Sequence, residues 1–162
     1  MSRVRRRKHV LTAGKDAASI SDGTFYHAAL DDLAELAAWI RLYKQHRALI
    51  HAGRMVRIDT GDDTAWMYGV VAADASAALM TYAQLDEPVN DQPAALRVPG
   101  LDPLRRYRVT DVTPGTRLPR RSGLPDAPLA AIEVSGGALA EIGLAIPPQR
   151  TLTAMVILIE AI

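Results

Sequence analysis

Residues 49–71 read LIHAGRMVRIDTGDDTAWMYGVV, and the pattern of apolar residues changes at Gly53. On its N-terminal side, apolar residues recur at steps of three and four, as on one face of an amphipathic α-helix. The residues in this pattern are Leu30, Leu33, Ala37, Ile40, Leu49 and Ile50. On its C-terminal side, short runs of Val, Ile, Tyr and Thr are broken by Pro, Gly and Asp. The sequence therefore predicts a helix from about Ala29 to Ala52, ended by Gly53 in a left-handed conformation, and then a β region.

The β region contains eight short segments with strand character. They cover residues 55–59, 65–73, 78–85, 95–98, 107–112, 131–134, 140–145 and 151–159. Gly136 and Gly137 predict a hairpin turn, and four prolines within residues 113–128 predict an irregular loop. Short strands at close spacing favour an antiparallel sandwich. The predicted fold class is thus mainly β: an antiparallel β-sandwich of about eight strands preceded by one long amphipathic α-helix.

The sequence divides into three parts. Residues 1–24 are a basic tail, 25–53 the helix and 54–162 the β-sandwich. The tail is expected to lack a fixed structure, and five cations lie in its first eight residues: Arg3, Arg5, Arg6, Arg7 and Lys8. Such a run can bind phosphates, but no aromatic stacking platform or recognition helix follows it. Nucleic acid is therefore not the predicted partner.

Composition is typical of a globular protein. The 162 residues suffice for one domain, and 49% of them are hydrophobic and 23% charged. The absence of Cys excludes disulfides and thiolate metal sites. The longest apolar run, residues 154–159, is far shorter than the roughly 20 residues that span a membrane. Because the basic start also lacks the apolar core of a signal peptide, we expect a cytoplasmic protein with no membrane contact.

Four blocks, in order along the chain, resemble one known family. They are YKQHR at residues 43–47 with HAGR at 51–54; GVVAAD at 69–74 with Ser76 and AL at 78–79; LRVPGLDP at 96–103 with YRV at 107–109; and Ser135–Gly136 with Leu139, Gly143–Leu144 and Pro147–Pro148. Together they resemble the last barrel helix and the C-terminal sandwich of family 36 glycoside hydrolases, the α-galactosidases. The similarity covers about residues 31–162.

The resemblance implies a chain without catalytic residues. Members of that family hydrolyse terminal α-galactosides at the mouth of a (β/α)₈ barrel, with one Asp as nucleophile and another as acid/base in a retaining mechanism. Both lie on barrel strands upstream of the helix, and no segment here matches those strands. We therefore expect a non-catalytic C-terminal fragment that packs against and stabilises the barrel and has no activity alone. Whether the gene is truncated or encodes an independent protein stays open.

The carboxylates of the chain do not predict an active site by themselves. A retaining glycosidase needs two carboxyl groups about 5 to 5.5 Å apart that face one point. The adjacent acidic pairs are Asp31–Asp32, Asp62–Asp63 and Asp86–Glu87, and each fits a helix-capping or turn role instead. His46 and His51 are five residues apart, which does not stack them as metal ligands on a helix. We expect no metal and no cofactor.

Apolar residues of the helix are the candidates for an interface. Leu36, Trp39 and Ile40 are expected to contact the missing barrel domain. Without that domain they would form an exposed patch, which favours self-association of the chain through this helix face.

Aromatic residues of the β region are the candidates for binding a galactoside. Trp66 and Tyr68 share one face of a strand, and Tyr82 is expected as a cross-strand neighbour. Exposed Trp and Tyr rings can stack on the apolar face of a sugar, which would make the chain a stand-alone carbohydrate-binding module. Apolar Val70 continues the same alternation, however, and this favours packing of the stripe in the sandwich core.

Overall fold

The computed structural model describes residues 24–59, 61, 63–87, 93–115, 131–149 and 151–162. The chain divides between residues 37 and 38 into two units, and the second unit, residues 38–162, holds the whole sheet. Apart from Thr24, the predicted tail of residues 1–24 lies outside the described residues, and so does most of the predicted loop of residues 113–128.

A long helix, α1 (Thr24–Ala52), precedes the sheet, as the apolar pattern predicts. The Gly53 N–H donates to the Leu49 carbonyl oxygen at 2.8 Å and ends the helix. The predicted left-handed conformation is wrong, because Gly53 is not among the described residues with a positive φ. Glycine is required here for space instead, since a Cβ would lie 2.6 Å from the Leu49 carbonyl oxygen. No helix in the described part of the chain is long and apolar enough to cross a bilayer.

The strands form one antiparallel sheet of six. They are β1 (Arg54–Ile58), β2 (Ala65–Val71), β3 (Ala77–Gln84), β4 (Arg106–Asp111), β5 (Ile132–Ser135) and β6 (Thr153–Ala161). The order across the sheet is β1-β2-β3-β6-β4-β5, so the last strand inserts between β3 and β4. The antiparallel β architecture that follows one long helix is therefore confirmed, with six strands in place of about eight.

Two of the predicted strands are replaced by other structure. Residues 136–141 form a short helix, α2 (Gly136–Glu141), where a glycine turn and a strand over residues 140–145 were predicted. The Ser135 hydroxyl caps α2 by accepting a hydrogen bond from the Ala138 N–H at 3.2 Å. Residues 95–98 contribute a single bridge, in which Leu96 and Leu144 exchange backbone hydrogen bonds of 2.9 Å.

The hydrophobic core lies on one face of the sheet. Alternate residues of the central strands point into it, among them Met67, Met80 and Tyr107. The layer that covers this face consists of irregular segments and α2, and it contributes Leu96, Val98, Leu101, Leu139, Leu144 and Ile146. The described residues therefore form a single sheet with mainly loops and α2 packed on its core face, in place of the two packed sheets of a sandwich.

The Tyr107 hydroxyl ties two turns to the sheet. It donates to the Ala75 carbonyl oxygen at 2.7 Å and accepts from the Asp102 N–H at 3.0 Å. The Tyr107 side chain is fully buried, and Ala75 has a positive φ of 56° in the β2–β3 turn. One hydroxyl thus holds a strained turn and the start of the β4 segment in fixed positions.

Buried Gln84 plays a similar part at the other end of β3. Its side-chain amide donates to the Asp86 carbonyl oxygen at 2.8 Å and to the Thr64 carbonyl oxygen at 3.2 Å. Its side-chain oxygen accepts from the Tyr82 hydroxyl. Because a buried amide is costly without partners, this set of bonds fixes the β1–β2 connection against β3.

Candidate docking surface

The carboxylates of the described turns make local hydrogen bonds. Asp86 accepts from the Glu87 N–H at 2.7 Å. Asp74, which lies in the β2–β3 turn, accepts from the Ser76 hydroxyl at 2.6 Å and from the Ser76 N–H at 3.0 Å. These two bonds hold the pKa of Asp74 below its usual value, because they stabilise the ionised carboxylate. Such carboxylates fix turns and do not converge on a common point.

The other acidic pairs are only partly visible. Asp63 lies in the β1–β2 turn, whereas its neighbour Asp62 lies outside the described residues. Asp31 and Asp32 belong to α1, but the structure does not describe their side chains. Within the described residues, no group of three or more His, Asp or Glu side chains is placed to hold a metal ion.

The helical histidines do not converge. His51 shares a hydrogen bond of 2.9 Å with the Tyr43 hydroxyl, and the two rings meet edge to face at 6.1 Å. His46 is half-buried elsewhere on α1. The His51 ring thus contacts Tyr43 on the surface of the helix.

Four apolar side chains of α1 lie exposed along one face, and we call them the helix stripe: Leu33, Leu36, Ile40 and Tyr43. Their spacing of three and four residues places them side by side along the helix. The predicted interface residues Leu36 and Ile40 belong to the stripe, whereas predicted Trp39 is half-buried and makes a polar or ring contact of its own.

Two of the three predicted sugar-binding residues lie together, and the third does not. Trp66 and Tyr68 are 52% and 37% exposed on the outer face of β2, opposite the core. Tyr82 is 1% exposed and faces the core, where it pairs with Met67. The expectations of a Tyr82 neighbour and of a stripe packed in the core are therefore wrong. The alternate residues of β2, including Met67, fill the core instead.

Strand β1 adds two residues to this outer face that sequence reasoning missed. Met55 is 71% exposed and pairs with Val70, and Arg57 pairs with Tyr68. The Arg57 guanidinium carbon lies 5.9 Å from the centre of the Trp66 ring, within the range of a cation–π interaction. We call Met55, Arg57, Trp66 and Tyr68 the outer patch. Knowing which residues of β1 and β2 pair would place all four on one face, because paired residues of neighbouring strands point to the same side of the sheet.

Comparison with known proteins identifies this fold. The family model described as the glycosyl hydrolase family 36 C-terminal domain matches residues 63–159, which is more than half of the chain. The chain belongs to this family. The resemblance predicted from the four sequence blocks is thereby confirmed.

Relatives of this family 36 C-terminal domain are much longer proteins. An α-galactosidase of Escherichia coli is 36% identical over 125 residues, which are 74% of this chain and 18% of that enzyme. The solved α-galactosidase of Lactobacillus brevis matches with a TM-score of 0.60 and 21% identity over 81% of this chain and 17% of its own. A variant of the family 36 α-galactosidase AgaA from Geobacillus stearothermophilus, in complex with raffinose, matches with a TM-score of 0.56 and 24% identity. That match covers 76% of this chain and 15% of AgaA.

Proposed function

We propose that this chain is a non-catalytic C-terminal fragment of a family 36 α-galactosidase, which packs against the catalytic barrel and stabilises it. The observation that carries the proposal is the match of residues 63–159 to the C-terminal domain of the family, in a chain that spans 18% of the E. coli enzyme. Hydrolysis of terminal α-galactosides is the activity we propose for the whole enzyme, in the cytoplasm. The AgaA variant that binds raffinose supports this substrate class.

The turn carboxylates support a role without catalysis. Asp74 and Asp86 accept hydrogen bonds within their own turns, where they stabilise the backbone. A nucleophile and a general acid would have to face one sugar from about 5 to 5.5 Å apart, so we assign both to the barrel. The proposal needs no metal or cofactor on this chain.

The helix stripe supplies the driving force for packing against a barrel. Leu33, Leu36 and Ile40 are each roughly half exposed. Full burial of such a side chain contributes about 1.5–3 kcal/mol, so docking the exposed half contributes about 1 kcal/mol for each residue. Left uncovered, the stripe favours self-association of the chain.

Calorimetric titration tests the proposal. The purified chain is titrated into the E. coli α-galactosidase from which the matching C-terminal part has been removed. We expect saturable one-to-one binding that is weakened by the double change Leu36→Ser and Ile40→Ser. Leu104→Ser is the matched control, because Leu104 is 93% exposed in a turn far along the chain from α1. An absence of binding by the unmodified chain contradicts the proposal.

A stand-alone carbohydrate-binding module is the second candidate, and the exposure of Trp66 and Tyr68 on one strand face favours it. Two aromatic rings two residues apart offer a flat platform for a sugar. This function predicts saturable binding of raffinose that is lost on Trp66→Ala or Tyr68→Ala. Raffinose binding that survives both changes excludes these residues as the site.

A further inference from the structure

We propose that the outer patch is a second docking surface for the catalytic domain, and that it receives an apolar surface carrying a carboxylate opposite Arg57. This inference rests on the proposed function and adds a contact on the sheet to the contact on α1. It concerns Met55, Arg57, Trp66 and Tyr68, all on the outer face of β1 and β2.

The composition of the outer patch is that of an interface centre. Trp, Tyr and Arg are the residues that dominate binding energy at protein interfaces, and here Trp66, Tyr68 and Arg57 are adjacent. Met55 adds a flexible apolar side chain that adapts to a partner surface. The Arg57 guanidinium is held near the Trp66 ring, so its charge is positioned before a partner arrives.

The surroundings of Trp66 favour a protein over a sugar as the occupant. Its neighbour on β3 is Ala83, and the neighbour of Ala83 on β6 is Ala154. Val70 and Leu79 continue this apolar face on β2 and β3. Sugar hydroxyls lose hydrogen bonds to water on binding and need polar partners in return, and these four side chains provide none. On β1, β2 and β3 the polar groups of this face are Arg57, the Tyr68 hydroxyl and Thr81, which pairs with Tyr68. The apolar part of a protein surface has no such hydrogen bonds to lose in the same contact.

The course of the chain indicates which protein lies there. A Cβ placed on Gly53 would lie 3.3 Å from the Val70 Cβ, so α1 joins β1 beside the outer face and not beside the core. In the E. coli relative, 82% of the length lies outside the matching part, since this chain covers 18% of it. The end of α1 that joins the sheet therefore lies beside the outer face, on which the outer patch also lies.

The outer patch is too small to form the whole interface with the catalytic domain. A stable interface buries about 800 Å² on each partner, with a few central residues carrying most of the energy. The four side chains of the outer patch can form such a centre, but they cannot supply the whole buried area. The surrounding contact would come from half-buried Val70 and Leu79, whereas Val156 and Leu158 of β6 are already buried on this face.

Two variants of the full chain separate the outer patch from other exposed residues. In the calorimetric titration against the truncated E. coli enzyme, Trp66→Ser should raise the Kd at least about 30-fold, as expected for an interface Trp. Leu104→Ser removes a more exposed apolar side chain outside the patch and should leave the Kd unchanged. If the unmodified chain and Trp66→Ser bind equally well, the inference is overturned and the proposed function stands. If the unmodified chain does not bind, both fail together.

A measurement on the isolated chain keeps the inference testable without the barrel. An apolar fluorescent dye should bind the unmodified chain, and Trp66→Ser but not Leu104→Ser should reduce that binding. Unchanged dye binding in Trp66→Ser overturns the inference. Two further results also overturn it: self-association that Trp66→Ser abolishes, which makes a second copy the occupant, and quenching of Trp fluorescence by raffinose, which makes a sugar the occupant.

Discussion

The substitution Tyr107→Phe removes a single oxygen atom, yet it should destabilise the unit of residues 38–162 strongly. Tyr107 is fully buried, and its hydroxyl is bonded to the Ala75 carbonyl oxygen at 2.7 Å and to the Asp102 N–H at 3.0 Å. Phenylalanine keeps the ring and its packing but leaves both backbone groups without this partner. The change therefore isolates the two hydrogen bonds from the hydrophobic contribution of the ring.

The expected cost follows from the burial of those partners. A buried donor or acceptor left without a bond costs about 1–3 kcal/mol, and both partners here are partly buried, so we expect about 2 kcal/mol in all. In a unit of this size, such a loss lowers the Tm by roughly 6–10 °C. The positive φ of Ala75 adds to the effect, because the bond from Tyr107 helps to hold that turn.

Urea unfolding followed by circular dichroism measures this prediction, and Tyr68→Phe is the matched control. That variant loses the same oxygen from a Tyr that is 37% exposed on the outer face, and its free energy of unfolding should change by less than about 0.5 kcal/mol. If Tyr107→Phe and Tyr68→Phe unfold at the same urea concentration, the reasoning about the two turns is refuted.

Three further changes test other parts of the fold. Gly69→Ala should prevent folding or cost at least about 3 kcal/mol, since the new Cβ would lie 2.3 Å from the backbone oxygen of Leu79; abundant soluble protein with unchanged unfolding would contradict this. Ser135→Ala removes the cap of α2 and should lower the unfolding free energy by about 1 kcal/mol in the same urea assay, whereas Ser135→Asn should restore it. The Ser76 bonds lower the pKa of Asp74, so its contribution to stability is present at neutral pH and lost as the pH falls through that lowered pKa. The difference in urea midpoint between the unmodified chain and Asp74→Asn should therefore shrink in strong acid, and a constant difference would contradict the assignment.

The boundary between helix and sheet was readable from the sequence because the periods of the two structures differ. Apolar residues spaced by three and four give way to strand residues at Gly53, and α1 ends there. By contrast, α2 was missed because a helix of six residues is too short to display a period. Its start depends on the Ser135 cap and on contacts distant in sequence, such as the Asp102 carbonyl oxygen, which leaves no room for a Cβ on Gly136.

The outer patch could not be predicted because β2 is apolar in both phases. Met67 and Val71 alternate with Trp66, Tyr68 and Val70, so hydrophobicity alone does not decide which set faces the core. The large aromatic residues lie outside, against the usual preference. The pairing of charged Arg57 with Tyr68 shows which set faces outward, because paired residues point to the same face. That pairing register depends on the connection between β1 and β2.

The most direct test of the central claim is the heat inactivation of a family 36 catalytic region with and without this chain. The E. coli α-galactosidase that lacks its matching C-terminal part is held at a temperature where its activity decays, and the remaining hydrolysis of an α-galactoside is followed over time. A stabilising accessory domain predicts a longer half-life with increasing amounts of the chain, and no hydrolysis by the chain alone. An unchanged half-life at saturating amounts, or hydrolysis by the chain alone, would contradict the account.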